Sequence, residues 1–403
     1  MKINFAGYYL GSLGKNSASV HIKAWDYLLI VAACFAPMTG WRLGHIGPGE
    51  AVCLLWCIGS MRNFKIKVSD TLIFFVGFIC ALLLGSAIGV FVAKNELLFN
   101  QMLTWLYLAF ISVMTYQGLS DNSREYNEKL LIAMAFCTVL WQLFLYEYSF
   151  NVDREFFGAP LWYGGWRRYA GGATNPHQVA LLFCGMLFIL LRSAFLKRHI
   201  IISIAVAYAS YFLMGKTESA TGMMSIVLAA LFLLYMFVVR SGKNRLAIAA
   251  LLTIAIIAII IIMRNKIYNF IMDWIREDKN GEDRLELFSM IGAAFKKSPF
   301  FGLGPGVHSR AGRLEFHNTY LEVLAATGIL GTALFASYTK KVFLKLYIAD
   351  WRLIPIAISL YAYGFAGFAL RRLIYWIILA TILALAESIM RERMEFGSGH
   401  LIE

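Results

Sequence analysis

The chain has 403 residues, of which 60% are hydrophobic and 15% are charged, and its mean hydropathy is +0.65. Soluble domains carry about 25% charged residues, so this composition excludes a disordered, a fibrous or an ordinary soluble protein and indicates a polytopic membrane protein. A net charge of +13 would suggest nucleic-acid binding in a soluble chain. In a membrane chain it indicates basic cytoplasmic loops, so no nucleic-acid partner is expected.

The cysteines and the first residues carry little further information. All six cysteines fall inside apolar segments, without CxxC or metal-ligand spacing, so we interpret them as small packing residues and expect no disulfide framework. The first 25 residues are polar and mildly basic and lack the apolar core of a cleaved signal peptide. The first membrane span is therefore expected to direct insertion.

Apolar segments that cross or nearly cross a bilayer recur along the chain. They predict an all-α, polytopic integral membrane protein with about 12 transmembrane helices. The second segment is short and interrupted by charge. The predicted spans are 25–39, 47–61, 70–93, 101–117, 128–149, 175–192, 198–215, 219–240, 244–263, 317–338, 351–369 and 372–389.

Lysines and arginines in alternate connections set the predicted orientation. The basic set of connections includes Lys23, Lys67, Arg124, Arg192, Lys341 and Arg391. An even number of spans and this charge pattern both place the two termini in the cytoplasm. The opposite set contains a loop at 151–174 and a larger one at 264–316, late in the chain, which are then expected to be periplasmic. We predict a single transmembrane domain, 1–403, that includes both loops.

The larger loop contains an ordered series of motifs. Residues 283–297 have the apolar spacing of a short amphipathic helix, which Pro299 ends. The glycines of GLGPG then allow a tight backbone path, either as a plain turn or as a weak phosphate-binding signal. His317 and Asn318 follow where the chain re-enters the membrane, and Gly328 and Gly331 would permit close packing of that helix on a neighbour.

This order of motifs resembles the O-antigen ligase and polymerase superfamily. The motifs are Arg284 opening a helix, KKSPFFGLGPG, the pair His317-Asn318 and, nine residues later, Gly-x-x-Gly, and they cover about 264–335. The resemblance implies an inverting glycosyltransferase of the bacterial inner membrane with its active site on the periplasmic face. Its donor would be a glycan on undecaprenyl pyrophosphate, and no sugar nucleotide, metal or other cofactor would be needed.

The resemblance also implies roles for single residues. Arg284 would contact the pyrophosphate leaving group, and His317 would act on the acceptor hydroxyl as a base or an orienting group. Both roles are chemically reasonable, because arginine presents a fixed fork of donors to phosphate oxygens and a positioned imidazole activates a hydroxyl. The two residues are the predicted catalytic pair.

A second cationic contact is less directly indicated. Ligase-like family members often carry Ser-Arg in the external turn that here reads MGKTESATGMM, but Ala220 stands where the arginine would be. The contact is therefore expected from Lys216, or from Arg167 or Arg168 in the segment WRRYAGGATNPHQ, which also resembles a family element. The other binding candidates are Arg310, Arg313, Asn318, Tyr320 and Arg372.

Several of these residues have a plainer interpretation. Trp162, Tyr163 and Trp166 either stack on sugar rings or form an interfacial aromatic belt. Arg371 and Arg372, in the turn between the last two predicted spans, either anchor the interface or join the pyrophosphate site.

We favour a polymerase that joins lipid-linked repeat units, with an O-antigen ligase acting on lipid A-core as the first alternative and a protein-directed oligosaccharyltransferase as the next. A flippase or transporter of lipid-linked glycan is the alternative from another class. Carboxylates are scarce within the predicted spans, which argues modestly against proton-driven transport. The expected partners are the lipid-linked donor, a glycan or lipid A-core acceptor, membrane lipids and a chain-length regulator.

Overall fold

A computed structural model of the chain describes residues 21–61, 66–93, 98–196, 199–240, 291–306 and 318–398, apart from positions 43, 45, 166, 366 and 368, together with residues 250 and 253. The described part is mostly helical, with four two-residue strands, which agrees with the predicted all-α class. The helices are α1 (Tyr27–Phe35), α2 (Pro48–Ser60), α3 (Asp70–Ile88), α4 (Leu98–Ser120), α5 (Arg124–Asn151), α6 (Pro176–Phe195), α7 (Ile200–Lys216), α8 (Ala220–Arg240), α9 (Thr319–Asp350), α10 (Ile354–Tyr363) and α11 (Leu373–Ser398). The strands are β1 (Glu155–Phe156), β2 (Ala159–Pro160), β3 (Trp162–Tyr163) and β4 (Arg168–Tyr169).

Seven helical segments of the described part are long and apolar enough to cross a membrane, and α7 and the segment containing α1 are shorter apolar helices. Most predicted spans coincide with a helix. The predicted span 244–263 lies outside the described residues, so the total of 12 spans stays a prediction. Charge in the second span is accommodated by an ion pair, in which Arg42 contacts the buried Glu50 at 3.0 Å.

Helices α6 and α11 form the centre of the bundle. The most apolar stretches of these two helices are 83% and 89% buried, whereas that of α8 is 28% buried. A helix that is apolar all round belongs in a protein core, and α6 has a strong start because Asn175 caps it and Pro176 occupies its first turn. Helix α8 is therefore largely exposed in the structure, which suits a position at the edge of the bundle.

The basic connections predicted to be cytoplasmic meet at one end of the bundle. Lys23 Nζ donates to Asn122 Oδ1 at 3.0 Å, and Arg391 Nη1 donates to the carbonyl oxygen of Ser120 at 2.9 Å. Lys67 pairs with Asp121 in the same region. The described connection of the opposite set at 151–174 lies at the far end, about 40 Å away along the 28 residues of α5. The alternation predicted from charge is thus reproduced in the packing, while the identity of each side stays a prediction.

Buried carboxylates are more numerous than the sequence suggested. Arg192, predicted as a loop cation, is 2% exposed and pairs with Glu128 at 2.8 Å and Asp350 at 3.0 Å. Arg352 adds a second cation to Asp350 at 2.9 Å. Glu128 and Asp350 border apolar segments and look like loop residues in the sequence, but helix packing buries both. The scarcity of carboxylates is therefore a weaker argument against transport than it appeared.

Two predicted spans need correction. The helix predicted at 317–338 is α9, which continues to Asp350 and is broken at Gly328, where φ is 62° and ψ is −161°. The span predicted at 351–369 contains a 3₁₀ turn and the ten-residue helix α10, which ends at Tyr363. Apolar composition continues through both places, so hydropathy alone hides the backbone breaks.

Candidate active site

The connection between α5 and α6 is an ordered structure at the far end of the bundle from Lys23. Strand β1 pairs with β2 and β3 pairs with β4, both antiparallel, so that Tyr163 faces Arg168 across the second ladder. Tyr169 anchors this ladder, since its buried hydroxyl lies 2.8 Å from the carbonyl oxygen of Gln142, which accepts its proton. Burial raises the pKa of Tyr169, so it stays a neutral donor. Arg168 is therefore held by a rigid neighbour.

A hydrogen-bond network fixes the guanidinium of Arg168. Its Nε donates to the carbonyl oxygen of Thr217 at 3.0 Å, and its Nη2 lies 3.4 Å from both the carbonyl oxygen of Glu218 and Nε2 of His177. His177 Nδ1 lies 2.9 Å from Oγ of Ser219. The loop after α5 and the turn after α7, which both supplied candidates for the second cation, are thus joined by Arg168 itself.

Two adjoining clefts open beside this network. One has a volume of about 380 Å³ and is lined by Tyr163, Gly164, Arg167, Arg168 and Glu218. The other, of about 510 Å³, is lined by Tyr146, Phe150, Trp162, Arg167, Gly215, Lys216 and Glu218. The three candidates for the second cationic contact, Lys216, Arg167 and Arg168, therefore line the same pair of clefts, and all three could contact one ligand. A site rich in cations suits an anionic ligand.

The cations differ in how firmly they are held. Arg167 has an 80% exposed side chain and lies 3.9 Å from the carboxylate of Glu218. The ammonium of Lys216 is 5.3 Å from the ring centre of Phe212. Arg168 is partly buried and is the most constrained of the three. Trp162 packs in an aromatic cluster with Tyr146, while Tyr163 is half exposed on the cleft wall.

Sequence reasoning missed His177. The residue directly follows the Asn175-Pro176 pair, and the capping geometry of α6, in which Asn175 accepts a 2.9 Å hydrogen bond from the His177 amide, aims its ring at Arg168. The local signal was present in the letters NPHQ, because Asn followed by Pro marks a capped helix start, and His177 is the next residue. Its partner could not be read from the sequence, since Ser219 is 42 positions away.

The start of α9 is tied to the turn that follows α10. Asn318 caps α9 by accepting hydrogen bonds of 3.0 Å from the amides of Tyr320 and Leu321, and its Nδ2 donates to the carbonyl oxygen of Phe365 at 2.8 Å. Thr319 Oγ1 donates to the carbonyl oxygen of Gly367 at 2.9 Å. These contacts fix the backbone next to His317.

The same turn reaches the Arg168 network. The hydroxyl of Tyr363, the last residue of α10, donates a 2.5 Å hydrogen bond to the carbonyl oxygen of His177. A continuous set of contacts thus leads from Arg168 through His177 and Tyr363 to the turn that holds Asn318. The two regions that the sequence singled out separately belong to one end of the bundle.

The other predicted binding residues have varied surroundings. Tyr320 donates its hydroxyl proton to the carbonyl oxygen of Tyr361 at 2.6 Å and packs on Phe365, which describes a structural role. Arg372 is half buried in the turn before α11, where its amide bonds the carbonyl oxygen of Ala369. Other predictions lie outside the described residues, and these are Arg284, Arg310, Arg313, His317 and Trp166.

The glycine-rich segment docks into the break in α9. The amides of Leu303 and Gly304 donate to the carbonyl oxygens of Ala325 and Ala326, at 2.9 and 3.0 Å, and the amide of Ile329 donates to the carbonyl oxygen of Pro299 at 2.9 Å. The segment supplies partners for backbone groups that the broken helix leaves open, as non-helical backbone at membrane depth requires. The predicted close approach at Gly328 is confirmed, but the neighbour is a loop backbone and not a helix.

Other features of this segment agree with the sequence. Residues 291–297 are helical, with Ile291 and Ala294 buried, and the helix ends before Pro299, as predicted for the second half of 283–297. Gly302, Gly304 and Gly306 have φ values of 71°, 78° and 89°, which glycine adopts without strain. The first half of the predicted amphipathic helix lies outside the described residues.

A comparison with known families agrees with the motifs. Residues 204–336 match the family model described as O-antigen ligase. The matched segment starts within α7, contains Lys216 and Ser219, and extends past His317 and beyond the break at Gly328 in α9. No curated protein matches the chain at a significant level. The match over this segment supports the resemblance to the O-antigen ligase and polymerase superfamily, and the apolar helices indicate a multi-pass membrane protein.

Proposed function

We propose that this protein is an inverting glycosyltransferase that transfers an oligosaccharide from undecaprenyl pyrophosphate to a sugar hydroxyl at the periplasmic face of the inner membrane. The observation that carries the proposal is the contact path from Arg168 through His177 and Tyr363 to the turn that holds Asn318. This path joins the cationic clefts to Asn318, and the proposal gives the acceptor role to His317, which directly precedes Asn318 in the sequence.

The clefts suit the leaving group of this reaction. As the bond from the anomeric carbon to the pyrophosphate oxygen breaks, negative charge grows on the lipid pyrophosphate. Preorganised cations where charge develops are usually the largest catalytic contribution, and one such contact is worth about 10²–10³ in rate. Arg168 meets this requirement because Thr217 and Glu218 carbonyls hold its guanidinium before any substrate binds. Arg284 is proposed to add a further fork of donors from the large loop.

His317 is proposed to act on the acceptor. A neutral imidazole accepts the proton of the acceptor hydroxyl while the hydroxyl oxygen attacks the anomeric carbon, and the pyrophosphate leaves on the opposite side, which inverts the configuration. General-base catalysis of this kind contributes about 10²–10⁴ in rate. The capped and tethered start of α9 holds the backbone beside this histidine.

The acceptor distinguishes the two leading candidates. A polymerase uses the end of another lipid-linked repeat unit, and we favour it because Ala220 replaces the arginine found in ligase-like members. The O-antigen ligase is the second candidate, because the family model that matches residues 204–336 carries that description. A flippase would need a cavity that opens to both sides, and the described clefts lie at one end of the bundle.

The test is glycan transfer in proteoliposomes by the wild type, His317→Ala and Arg284→Ala at matched protein levels, with and without lipid A-core. Lys341→Ala is the control, because its exposed ion pair with Asp70 lies at the opposite end of the bundle. We expect both site variants to lose about 10²–10³ of the rate and the control to keep it.

Chain growth without lipid A-core identifies a polymerase, and transfer only in its presence identifies a ligase. Site variants that both transfer like the wild type would contradict the glycosyltransferase proposal. Flux of a labelled glycolipid across the same vesicles, without any new glycosidic bond, would support the flippase instead.

A further inference from the structure

His177 is a conspicuous residue of the clefts to which the motifs give no role. It lies at the first turn of α6, with its ring between the guanidinium of Arg168 and the hydroxyl of Ser219. We infer that His177 is a positioning residue that holds Arg168 for the lipid pyrophosphate by accepting a hydrogen bond from it through a neutral ring. This inference rests on the proposed function.

The contacts determine which ring nitrogen carries the proton. A guanidinium has only donors, so Nε2, 3.4 Å from Arg168 Nη2, must present its lone pair. The proton is then on Nδ1, which donates to Oγ of Ser219 at 2.9 Å. Ser219 Oγ also accepts the amide of Gly222 at 3.2 Å, where it caps α8. The ring therefore connects Arg168 to a fixed helix start.

The remaining contacts of Arg168 explain why this connection matters. Two backbone carbonyls, of Thr217 and Glu218, hold one edge of the guanidinium, and both belong to the tight turn between α7 and α8. Glu218 has a φ of 50°, which is uncommon for a residue other than glycine. His177 is the contact that comes from a different element, the central helix α6, so it fixes the guanidinium relative to the bundle and not only relative to the turn.

The backbone of His177 is fixed as firmly as its ring. The amide bonds Oδ1 of Asn175, and the carbonyl oxygen accepts the hydroxyl of Tyr363 at 2.5 Å. Tyr363 ends α10, whose following turn holds Asn318. His177 thus stands between the cations that would contact the pyrophosphate and the helix start beside His317. A shift of its ring would change the distance between the two parts of the proposed site.

Protonation of His177 would remove the acceptor. An imidazolium carries protons on both nitrogens, so Nε2 would have no lone pair to accept the hydrogen bond. The positive charge of the ring would also repel the guanidinium. The charged and titratable groups beside it in the described part of the chain include Arg168 in contact, Arg167, Lys216 and Glu218 in the adjoining clefts, and Tyr363 at its carbonyl. The donor should therefore bind less well at a pH low enough to protonate this ring.

Two amide substitutions test the two ring nitrogens of His177 separately. The amide of His177→Asn reaches the place of Nδ1 and keeps a group near Ser219, but it leaves Arg168 without the acceptor. The longer side chain of His177→Gln places an oxygen near Nε2 and restores it. His199→Asn is the matched control, because His199 lies at the other end of α7, about 25 Å from Lys216, in a left-handed conformation that asparagine tolerates.

The experiment measures KM for the lipid-linked donor, kcat and binding of undecaprenyl pyrophosphate in nanodiscs between about pH 5.5 and 8, with Arg168→Ala as reference. We expect His177→Asn to raise the donor KM about tenfold with a smaller change in kcat, since a hydrogen bond to a charged group is lost. His177→Gln should recover most of that affinity and lose the weakening of binding at low pH. His199→Asn should behave like the wild type.

The outcomes separate this inference from the proposed function. If Arg168→Ala weakens binding but His177→Asn does not, or if asparagine is tolerated and glutamine is not, His177 does not position Arg168. A low-pH weakening that persists in His177→Gln overturns the inference as well. If the wild type neither binds the lipid pyrophosphate nor transfers a glycan, the proposed function itself fails.

Discussion

Gly328 and Phe300 meet backbone to backbone inside the break of α9. A Cβ atom on Gly328 would lie 2.4 Å from the carbonyl carbon of Phe300, and the amide of Leu330 donates a 3.2 Å hydrogen bond to the carbonyl oxygen of the same phenylalanine. Gly85 of α3 meets the segment from its other side, where a Cβ would lie 2.5 Å from the carbonyl oxygen of Phe301. The inserted segment thus lies between two helices, and glycine makes both contacts possible.

Gly328→Ala should therefore be strongly destabilising. The φ and ψ of Gly328, 62° and −161°, belong to a region almost restricted to glycine, where another residue costs about 1–3 kcal/mol, and the added overlap with Phe300 costs about as much again. We expect a lower midpoint of thermal unfolding in detergent and loss of the ordered segment. Gly77→Ala is the control, since its Cβ would meet only Leu334 at 3.4 Å. Equal midpoints of thermal unfolding for Gly328→Ala and Gly77→Ala would contradict the backbone conformation and the close contact with Phe300 described for Gly328.

Asn318 caps α9 through its side-chain oxygen and binds the turn after α10 through its side-chain nitrogen, which we call the tether. Two substitutions distinguish the cap from the tether. Asn318→Asp keeps the acceptor for the amides of Tyr320 and Leu321 but loses the donor to the carbonyl of Phe365, whereas Asn318→Ala loses both. We expect the alanine variant to lose about 0.5–2 kcal/mol of unfolding free energy through the cap. The aspartate variant should keep the cap and still transfer glycan more slowly, because the turn no longer holds the start of α9. Transfer at the wild-type rate by the aspartate variant would show that the tether is dispensable.

The buried ion pairs of Arg192 should matter more than exposed ones. Arg192→Met leaves Glu128 and Asp350 as two buried carboxylates without their shared cation, which costs about 3–5 kcal/mol. Lys341→Met removes an ion pair whose partners are 53% and 52% exposed, which costs about 0–1 kcal/mol. Denaturation in mixed micelles compares the two variants. A comparable loss in both would show that the Arg192 cluster is hydrated.

Membrane orientation can be tested at two exposed positions at opposite ends of the bundle. Glu155 is exposed in β1, within the same α5–α6 connection as Arg167 and Arg168, and Asp121 has a 59% exposed side chain beside Arg391. A cysteine at Glu155 should react with an impermeant maleimide added to spheroplasts, because the clefts are expected to face the periplasm. A cysteine at Asp121 should react only after permeabilisation. The reverse pattern would invert the predicted topology and remove the site from the face where lipid-linked glycans are assumed to be used.

The sequence contains enough information to predict much of the fold. Hydropathy located most of the helices, because each apolar segment must satisfy its own backbone hydrogen bonds in lipid. The alternation of basic connections matched the two ends of the bundle, as Lys23 and Arg391 illustrate. The glycines of GLGPG indicated a tight backbone path, and Gly302, Gly304 and Gly306 adopt it with positive φ values. Each of these signals depends on residues that are close together in the chain, so it can be recognised in the sequence alone.

The candidate site was only partly predictable. The sequence singled out Arg167, Arg168 and Lys216 as alternative cations, and packing brings them together around two clefts. The role of His177 could not be predicted, because its partners Arg168 and Ser219 belong to two other connections. No sequence spacing relates His177 to either partner.

By itself, the sequence determined the membrane class, the helical elements, the basic end of the bundle and the order of family motifs, because apolarity, charge and glycine act over a few residues each. Only the tertiary structure decided that α9 is broken to receive a loop and that Arg192 is buried with its carboxylates. It also decided that Tyr363 links the His177 network to the turn holding Asn318. These contacts depend on how helices far apart in the chain pack against one another, and the free energy of that packing has no local signature.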